Sequence, residues 1–209
     1  MKKFIFLGIC LVTITLVKAQ IKAVTETGDE VVLYDNGTWT YVDGMVTEKE
    51  PIPVNESKFE KDKKSTFLVK SNKINVGLYI NPKSWAFKKG TEEDAYEYQF
   101  QKKGGDLYGM MITEKLDIPV ESLQQIAIDN ARSAAPDIKV TKEEYRNVNG
   151  IQVLMMQMTG TIQGMKFTYC GYYYSSEGGA VQLLTYTGTN LFDSYLGDIE
   201  LLLNGFVTL

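Results

Sequence analysis

Histidine is absent from this 209-residue chain, and cysteine occurs only at Cys10 and Cys170. Without an imidazole, Ser-His-Asp and Cys-His catalysis, His-ligated zinc and histidine proton switches are excluded. An excess of basic residues is missing too. The 22 Lys+Arg stand against 26 Asp+Glu, a net charge of −4, which argues against nucleic acid as a partner. The apolar run Phe4 to Val17, fourteen residues softened by Thr13 and Thr15, falls short of the about 20 residues that a membrane span needs. Cofactor loops are likewise lacking. Gly104-Gly105 and Gly178-Gly179 read as turns, since no Gly-Lys-Ser/Thr pattern or helix start follows, and the calcium-loop pattern does not occur. No cofactor, no metal and no catalytic residue is therefore assigned. What is present, 44% apolar and 23% charged residues, is an ordinary globular composition, long enough for one core and a smaller appendage.

The amino terminus carries an address. Lys2-Lys3, the Phe4 to Val17 run and Val17-Lys18-Ala19 before Gln20 make a secretory signal peptide over residues 1–19, cleaved after Ala19. A lipoprotein signal at Leu7-Gly8-Ile9-Cys10 is the rival, but Ile9 is bulky where a small residue is wanted. Cleavage removes three lysines and no acid, so the net charge of −4 becomes −7. It also removes Cys10, which leaves Cys170 without an intrachain disulfide partner. Cys170 sits in an apolar strand pattern and reads as a buried structural thiol. The mature protein is expected to be periplasmic or extracellular, with no transmembrane helix.

Residues 20–43 read as a three-stranded β-meander, with turns at Thr27-Gly28-Asp29 and Asp35-Asn36-Gly37. Trp39 is expected to anchor it in a small cluster with Val32, Tyr34 and Tyr41. The run from Thr25 to Tyr41 resembles a short hairpin motif that follows the signal peptide in exported proteins of Bacteroidota, which implies an envelope or secreted setting. Residues 44–65 read as a charged linker: ten of these 22 residues are charged with alternating sign, and Pro51 and Pro53 interrupt any regular element.

The main domain is placed at 66–209. Strands are predicted at 66–70, 75–80, 85–88, 95–101, 107–114, 139–147, 151–162, 165–175 and 180–187. A helix over 121–135 is entered near Pro119 and closed at Pro136, with Leu123, Ile126, Ala127, Asn130, Ala131 and Ala134 as its inner face. A second helix over 191–203 is capped by Thr189 or Asn190 and ended by Gly205, and it buries Phe192, Tyr195, Leu196, Ile199, Leu202 and Phe206. Both alternating sets of Ile151 to Met158 are largely apolar, and Val181 and Leu183 oppose Leu184 and Tyr186 in the same way, so these strands are expected to be covered on both sides. Hairpin-length turns make them antiparallel neighbours.

Val76-Gly77-Leu78-Tyr79-Ile80-Asn81-Pro82-Lys83-Ser84-Trp85 resembles the opening of the PsbP/DcrB-like superfamily. Val148-Asn149-Gly150 before a long hairpin and the closing Leu203-Asn204-Gly205-Phe206 follow in the family's order. The resemblance implies an α+β fold, an α/β/α sandwich around a central antiparallel sheet, and a non-enzymatic accessory or binding role. It brings no catalytic motif.

The densest constellation is aromatic: Phe167, Tyr169, Tyr172, Tyr173 and Tyr174 fall within eight residues. Strand alternation puts Tyr172 and Tyr174 on one face and Tyr173 on the other. Trp39, Tyr172 and Tyr174 are the candidate partner-binding surface, for an unknown protein or small ligand of the envelope. The competing readings are a carboxylate-based hydrolase acting on glycans, which would need two acidic side chains in one cleft, and a structural accessory of a membrane complex. Glu92-Glu93-Asp94 reads as a solvated turn, and Met110-Met111, Met155-Met156 and Met158 as core.

Overall fold

The structure, a computed structural model, describes residues 21–25, 28–34, 39–42 and 51–209. The signal peptide, its cleavage point and the Asn36-Gly37 turn lie outside the described residues. The chain divides into two units. In the smaller, β1 (Ile21–Val24), β2 (Glu30–Leu33) and β3 (Trp39–Tyr41) pair antiparallel in that order. Register sets which residues cluster. Leu33 faces Trp39 and Val31 faces Tyr41, so Val32 points to the other side of the sheet. The expected grouping of Val32 with Trp39 is thereby corrected. The Trp39 ring meets Tyr41 edge-on at 5.3 Å and stays 53% exposed.

In the larger unit, β4 (Val54–Phe59), β5 (Phe67–Lys70), β6 (Val76–Ile80), β7 (Trp85–Lys89), β8 (Tyr98–Lys102) and β9 (Tyr108–Glu114) precede α1 (Val120–Ala134). Then come β10 (Lys139–Val148), β11 (Ile151–Ile162), β12 (Met165–Ser176), β13 (Gly179–Gly188), α2 (Phe192–Leu203) and β14 (Phe206–Thr208). An eight-stranded sheet runs β4-β10-β11-β12-β13-β9-β8-β7, and a small sheet runs β14-β6-β5. As expected, β11, β12 and β13 are consecutive antiparallel neighbours. The β10–β11 and β11–β12 turns are two-residue loops with positive φ at both positions, Asn149-Gly150 and Gln163-Gly164, which matches the twist of the flanking strands.

Alternation splits the core in two. Leu154, Met156, Met158 and Tyr173 pack with Leu123, Ala127 and Ile128 of α1. Val153, Met155, Tyr172 and Leu183 pack with Phe192, Ile199 and Leu202 of α2, and with Val69, Leu78 and Phe206 of the small sheet. Each fully buried side chain of this size contributes about 1.5–3 kcal/mol.

Several expectations need correction. Residues 54–59 are not tether: β4 is the edge strand of the large sheet, parallel to β10, with Tyr145 opposite Val54 and Val148 opposite Phe59. Its exposed Glu56 and Lys58 give it the composition of a linker, while a distant partner strand gives it its conformation. The inner face of α1 is turned from the expected one. Ile126, Asn130 and Ala134 are exposed, while Gln124 and Ile128 face inward, where Gln124 Nε2 donates to Glu143 Oε2 at 2.5 Å. At α2 no side chain caps the start; a 3-10 turn, Thr189–Leu191, leads in, and Leu196 is 42% exposed. Gly205 is not a left-handed cap. A Cβ there would lie 2.0 Å from the Tyr79 carbonyl oxygen, so glycine permits β14 to turn in beside β6.

Candidate functional site

Two buried polar clusters lie on the α2 side of the sheet or at its border, and both do structural work. Arg146 is 6% exposed, with Nε donating to Glu144 Oε1 at 2.6 Å, Nη1 to the Tyr172 hydroxyl at 3.2 Å, and the Phe59 ring 4.3 Å away. The Tyr172 hydroxyl donates onward to Asn204 Oδ1 at 2.7 Å. Burial pushes the Tyr172 hydroxyl up to about 12 despite the Arg146 charge, so it stays neutral. Asn149 completes the join. Its Oδ1 accepts from Lys61 N, and its Nδ2 donates to the carbonyls of Asn204 and Phe206 at 2.8 and 2.7 Å. The two motifs that carry the family resemblance, Val148-Asn149-Gly150 and Leu203-Asn204-Gly205-Phe206, therefore touch each other as a brace. The second cluster is Glu97, 5% exposed, which accepts from Ser71 Oγ, from Asn72 N and Nδ2, and from Thr113 Oγ1. Burial works against its charge, but these donors outweigh it and hold its pKa below the ordinary value.

The expected binding residues separate. Tyr172 is 1% exposed and belongs to the core, which removes it as a surface candidate. Tyr174 is half-buried against Phe206, ring centroids 5.5 Å apart, and borders a cavity of about 350 Å³ with Lys73, Asn75 and Ser176. Trp39 lies in the other unit.

Sheet width decides what stays open. Eight strands about 4.8 Å apart make a sheet roughly 34 Å across, while one helix is about 10 Å wide. On its face α1 covers β10 to β12, and the half made by β13, β9 and β8 has no helix. A row of tyrosines in register leads into that half from its border: Tyr169 of β12, packed against the α1-side core, opposes Tyr186 of β13, and Tyr186 opposes Tyr108 of β9. The Tyr108 and Tyr186 rings stack at 5.5 Å with planes 21° apart, and Tyr169 follows at 5.8 Å. Met110, Ile112 and Leu184 flank the row on the same face, all half-buried. Gln101 opposes Tyr108 and Gln99 opposes Met110, which extends the surface to a shallow cavity of about 280 Å³ over β7 and β8. Burial raises the hydroxyl pKa of Tyr169 and of Tyr186, so these two hydroxyls stay neutral at neutral pH. Flat apolar rings with polar tips and amide neighbours suit a neutral ligand that stacks and accepts hydrogen bonds. Tyr108 and Tyr186 were not singled out by sequence. Tyr169 was, as one of the five clustered aromatics. Register unites them: the β12–β13 hairpin sets Tyr169 against Tyr186, and the long-range β13–β9 pairing brings Tyr108 alongside.

Among the described residues no group of three or more Cys, Asp or Glu is placed to hold a metal, and no helix is long and apolar enough to cross a membrane. Of three cavities among the described residues, the one beside Lys58 and Asn149, about 570 Å³, has one side-chain carboxylate, Glu60, and the other two have none. A pair of acids in one cleft is not found there.

Known structures share this fold. The solution structure of the cyanobacterial PsbP protein CyanoP from Synechocystis sp. PCC 6803 superposes with a TM-score of 0.51 over 68% of this chain and 92% of that one, at 10% identity. The fold is PsbP-like. LpqN of Mycobacterium tuberculosis, involved in cell envelope biogenesis, aligns with a TM-score of 0.46 at 12% identity over 68% of this chain and 88% of its own. PA94 of Pseudomonas aeruginosa, a protein of unknown function, aligns at 0.41 and 12% over 64% and 90%. No family model and no curated protein sequence matches the chain. In this PsbP-like frame, the expected sandwich holds with one change: its second outer layer is α2 together with the small sheet.

Proposed function

We propose that the protein is an exported, non-enzymatic accessory or binding protein of the cell envelope, and that it engages its partner or ligand through the tyrosine row of the helix-free half-face. The observation that carries this reading is the stacked pair Tyr108 and Tyr186, continued by Tyr169 at the border of α1, on a sheet face that α1 covers only in part. Export is supported by Lys2-Lys3, the Phe4 to Val17 run and Ala19-Gln20. The PsbP-like fold agrees with an accessory role. Trp39 and Tyr174 are exposed or cavity-lining, and they are secondary contacts in this reading.

The test has two arms. Amino-terminal sequencing of protein recovered outside the cytoplasm is expected to begin at Gln20; a lipid-modified Cys10 as first residue contradicts the cleavage. The chain from residue 20, immobilised, is expected to retain a component of envelope extract that Tyr108→Ala and Tyr186→Ala variants with unchanged circular dichroism fail to retain. Equal retention by the variants contradicts the tyrosine row as the contact.

A further inference from the structure

The two edges of the large sheet differ. At β4, register shifts between Arg146 and Asn147, which bends the edge and interrupts its regular spacing. At β7 the pairing is unbroken over five residues, Trp85 with Lys102 through Lys89 with Tyr98. Lys103 N donates to Ser84 O, and Gly90 N donates to Glu97 O. Antiparallel pairs alternate in bonding, so residues 84, 86, 88 and 90 face β8, and the amides of Phe87 and Lys89 point outward. These outward groups have no backbone partner among the described residues.

The side chains beside this edge are not those of a merely guarded strand. Phe87 is 41% exposed and Phe67 of β5 46%, and their rings meet at 5.5 Å on the face away from the tyrosine row. Lys83, Lys88, Lys89 and Lys103 lie on β7 or flank the β7–β8 pair, Lys88 on the face opposite to Phe87, and none has a carboxylate within ion-pairing distance among the described residues. Lys103 instead donates to the Pro82 carbonyl, and Lys88 lies over the Tyr96 ring. Glu92, Glu93 and Asp94 follow in the turn beyond the strand, where Asp94 accepts from Thr91 N and Oγ1. A local basic edge on a chain with 26 acids and 22 bases selects by charge. It repels a second β7, whose Lys88 and Lys89 would face its own, and attracts an acidic strand.

We infer that the outer edge of β7 is a docking site for an extended acidic segment of a partner protein, added to the sheet as a ninth strand. Main-chain hydrogen bonds to Phe87 and Lys89 supply affinity, the Phe67–Phe87 patch takes an apolar side chain, and the lysines select acidic neighbours. The site uses the edge and the Phe67–Phe87 face, with Lys88 alone on the tyrosine side, so a Tyr108 substitution tells it apart from the tyrosine row.

The probe is a dye-labelled octapeptide alternating Val and Glu, compared with the same peptide carrying Lys for Glu, in fluorescence anisotropy with the chain from residue 20. The acidic peptide is expected to bind at least about tenfold more tightly, with affinity falling as salt rises. Lys89→Pro removes an outward N–H without touching a bond to β8, and is expected to weaken binding about tenfold with an unchanged melting temperature. Lys88→Glu with Lys89→Glu is expected to reverse the charge preference, and Tyr108→Ala to leave it intact. Equal binding of both peptides, or full binding by Lys89→Pro, overturns the proposal. So does a dimer of the chain that Lys89→Pro dissolves, since the edge then belongs to a second copy.

Discussion

The two faces of the eight-stranded sheet use similar strands for different ends. One is closed by α2 and by the β14-β6-β5 sheet, and it buries charges that must be satisfied internally: Arg146 against Glu144 and Tyr172, braced through Asn204 and Asn149. The other has a single helix, too narrow for the sheet it lies on, and beyond that helix stacked tyrosine rings lie half-buried at the surface. Polar groups on the closed face are fixed by what surrounds them. A substitution on the closed face should therefore be read in stability, and one on the tyrosine row in binding.

The largest stability effect is expected at Arg146. Arg146→Ala leaves Glu144 in a largely buried site with only Lys142 and Asn55 as partners, at a cost of about 3–5 kcal/mol in chemical denaturation. Arg146→Met with Glu144→Leu is expected to recover most of the loss, because the cost arises from the orphaned charge. Asn149→Ala comes next. It removes three hydrogen bonds at about 1 kcal/mol each and leaves a non-glycine residue at φ 51, for a total of roughly 3 kcal/mol. If either variant denatures like the parent protein, the closed face is not the brace described above.

Acid should act through Glu97. Its folded pKa lies below the ordinary value of 4.5, so the folded state binds fewer protons than the unfolded chain. Its contribution is complete above about pH 4.5 and is lost as pH falls through the folded pKa. The melting temperature should drop on acidification below pH 4.5, and in Glu97→Gln, less stable at neutral pH, this drop should be shallower. A parallel acid profile for the variant would exclude Glu97 as the titrating clamp.

The smallest effects concern groups sealed under α1 or α2. The Tyr173 hydroxyl is buried with no hydrogen-bond partner, so Tyr173→Phe should be neutral or stabilising by up to about 1 kcal/mol. Burial pushes the Cys170 thiol up to about 12, so a thiol reagent at neutral pH should label it only as the chain unfolds. Fast labelling of the folded protein would open a face described here as closed.

What the sequence displays of this division follows from range. The two-sided apolar pattern of 151–158 announces a covered strand, and Gln163-Gly164 announces the hairpin, because both signals are local; the same pattern at 181–186 misleads, since α1 does not extend over β13 and Leu184 and Tyr186 stay half-buried. β4 hides behind Pro53, Glu56 and Lys58, since its pairing with β10 spans some ninety residues and rests on backbone bonds. The phase of α1 misleads because Ile126 is as apolar as Ile128, and the Gln124–Glu143 bond that favours the observed face joins distant residues. For the binding surface, alternation correctly sets Tyr172 apart from Tyr173. Which face is open depends on helix width against sheet width, and no stretch of sequence encodes that comparison. Tyr172 thus goes to the core, and Tyr108 and Tyr186 come to the surface.

The central claim is that the tyrosine row is the contact surface and the closed face is not. Hydroxyl-radical footprinting with mass spectrometry, on the free chain and on the chain carrying whatever envelope component it retains, tests this directly. Tyr108, Tyr169 and Tyr186 are expected to be oxidised in the free chain and protected in the complex, with Tyr172 and Tyr173 unoxidised in both. Oxidation of Tyr172 in the free chain, or a complex in which Tyr108 and Tyr186 remain as reactive as before, would contradict the account.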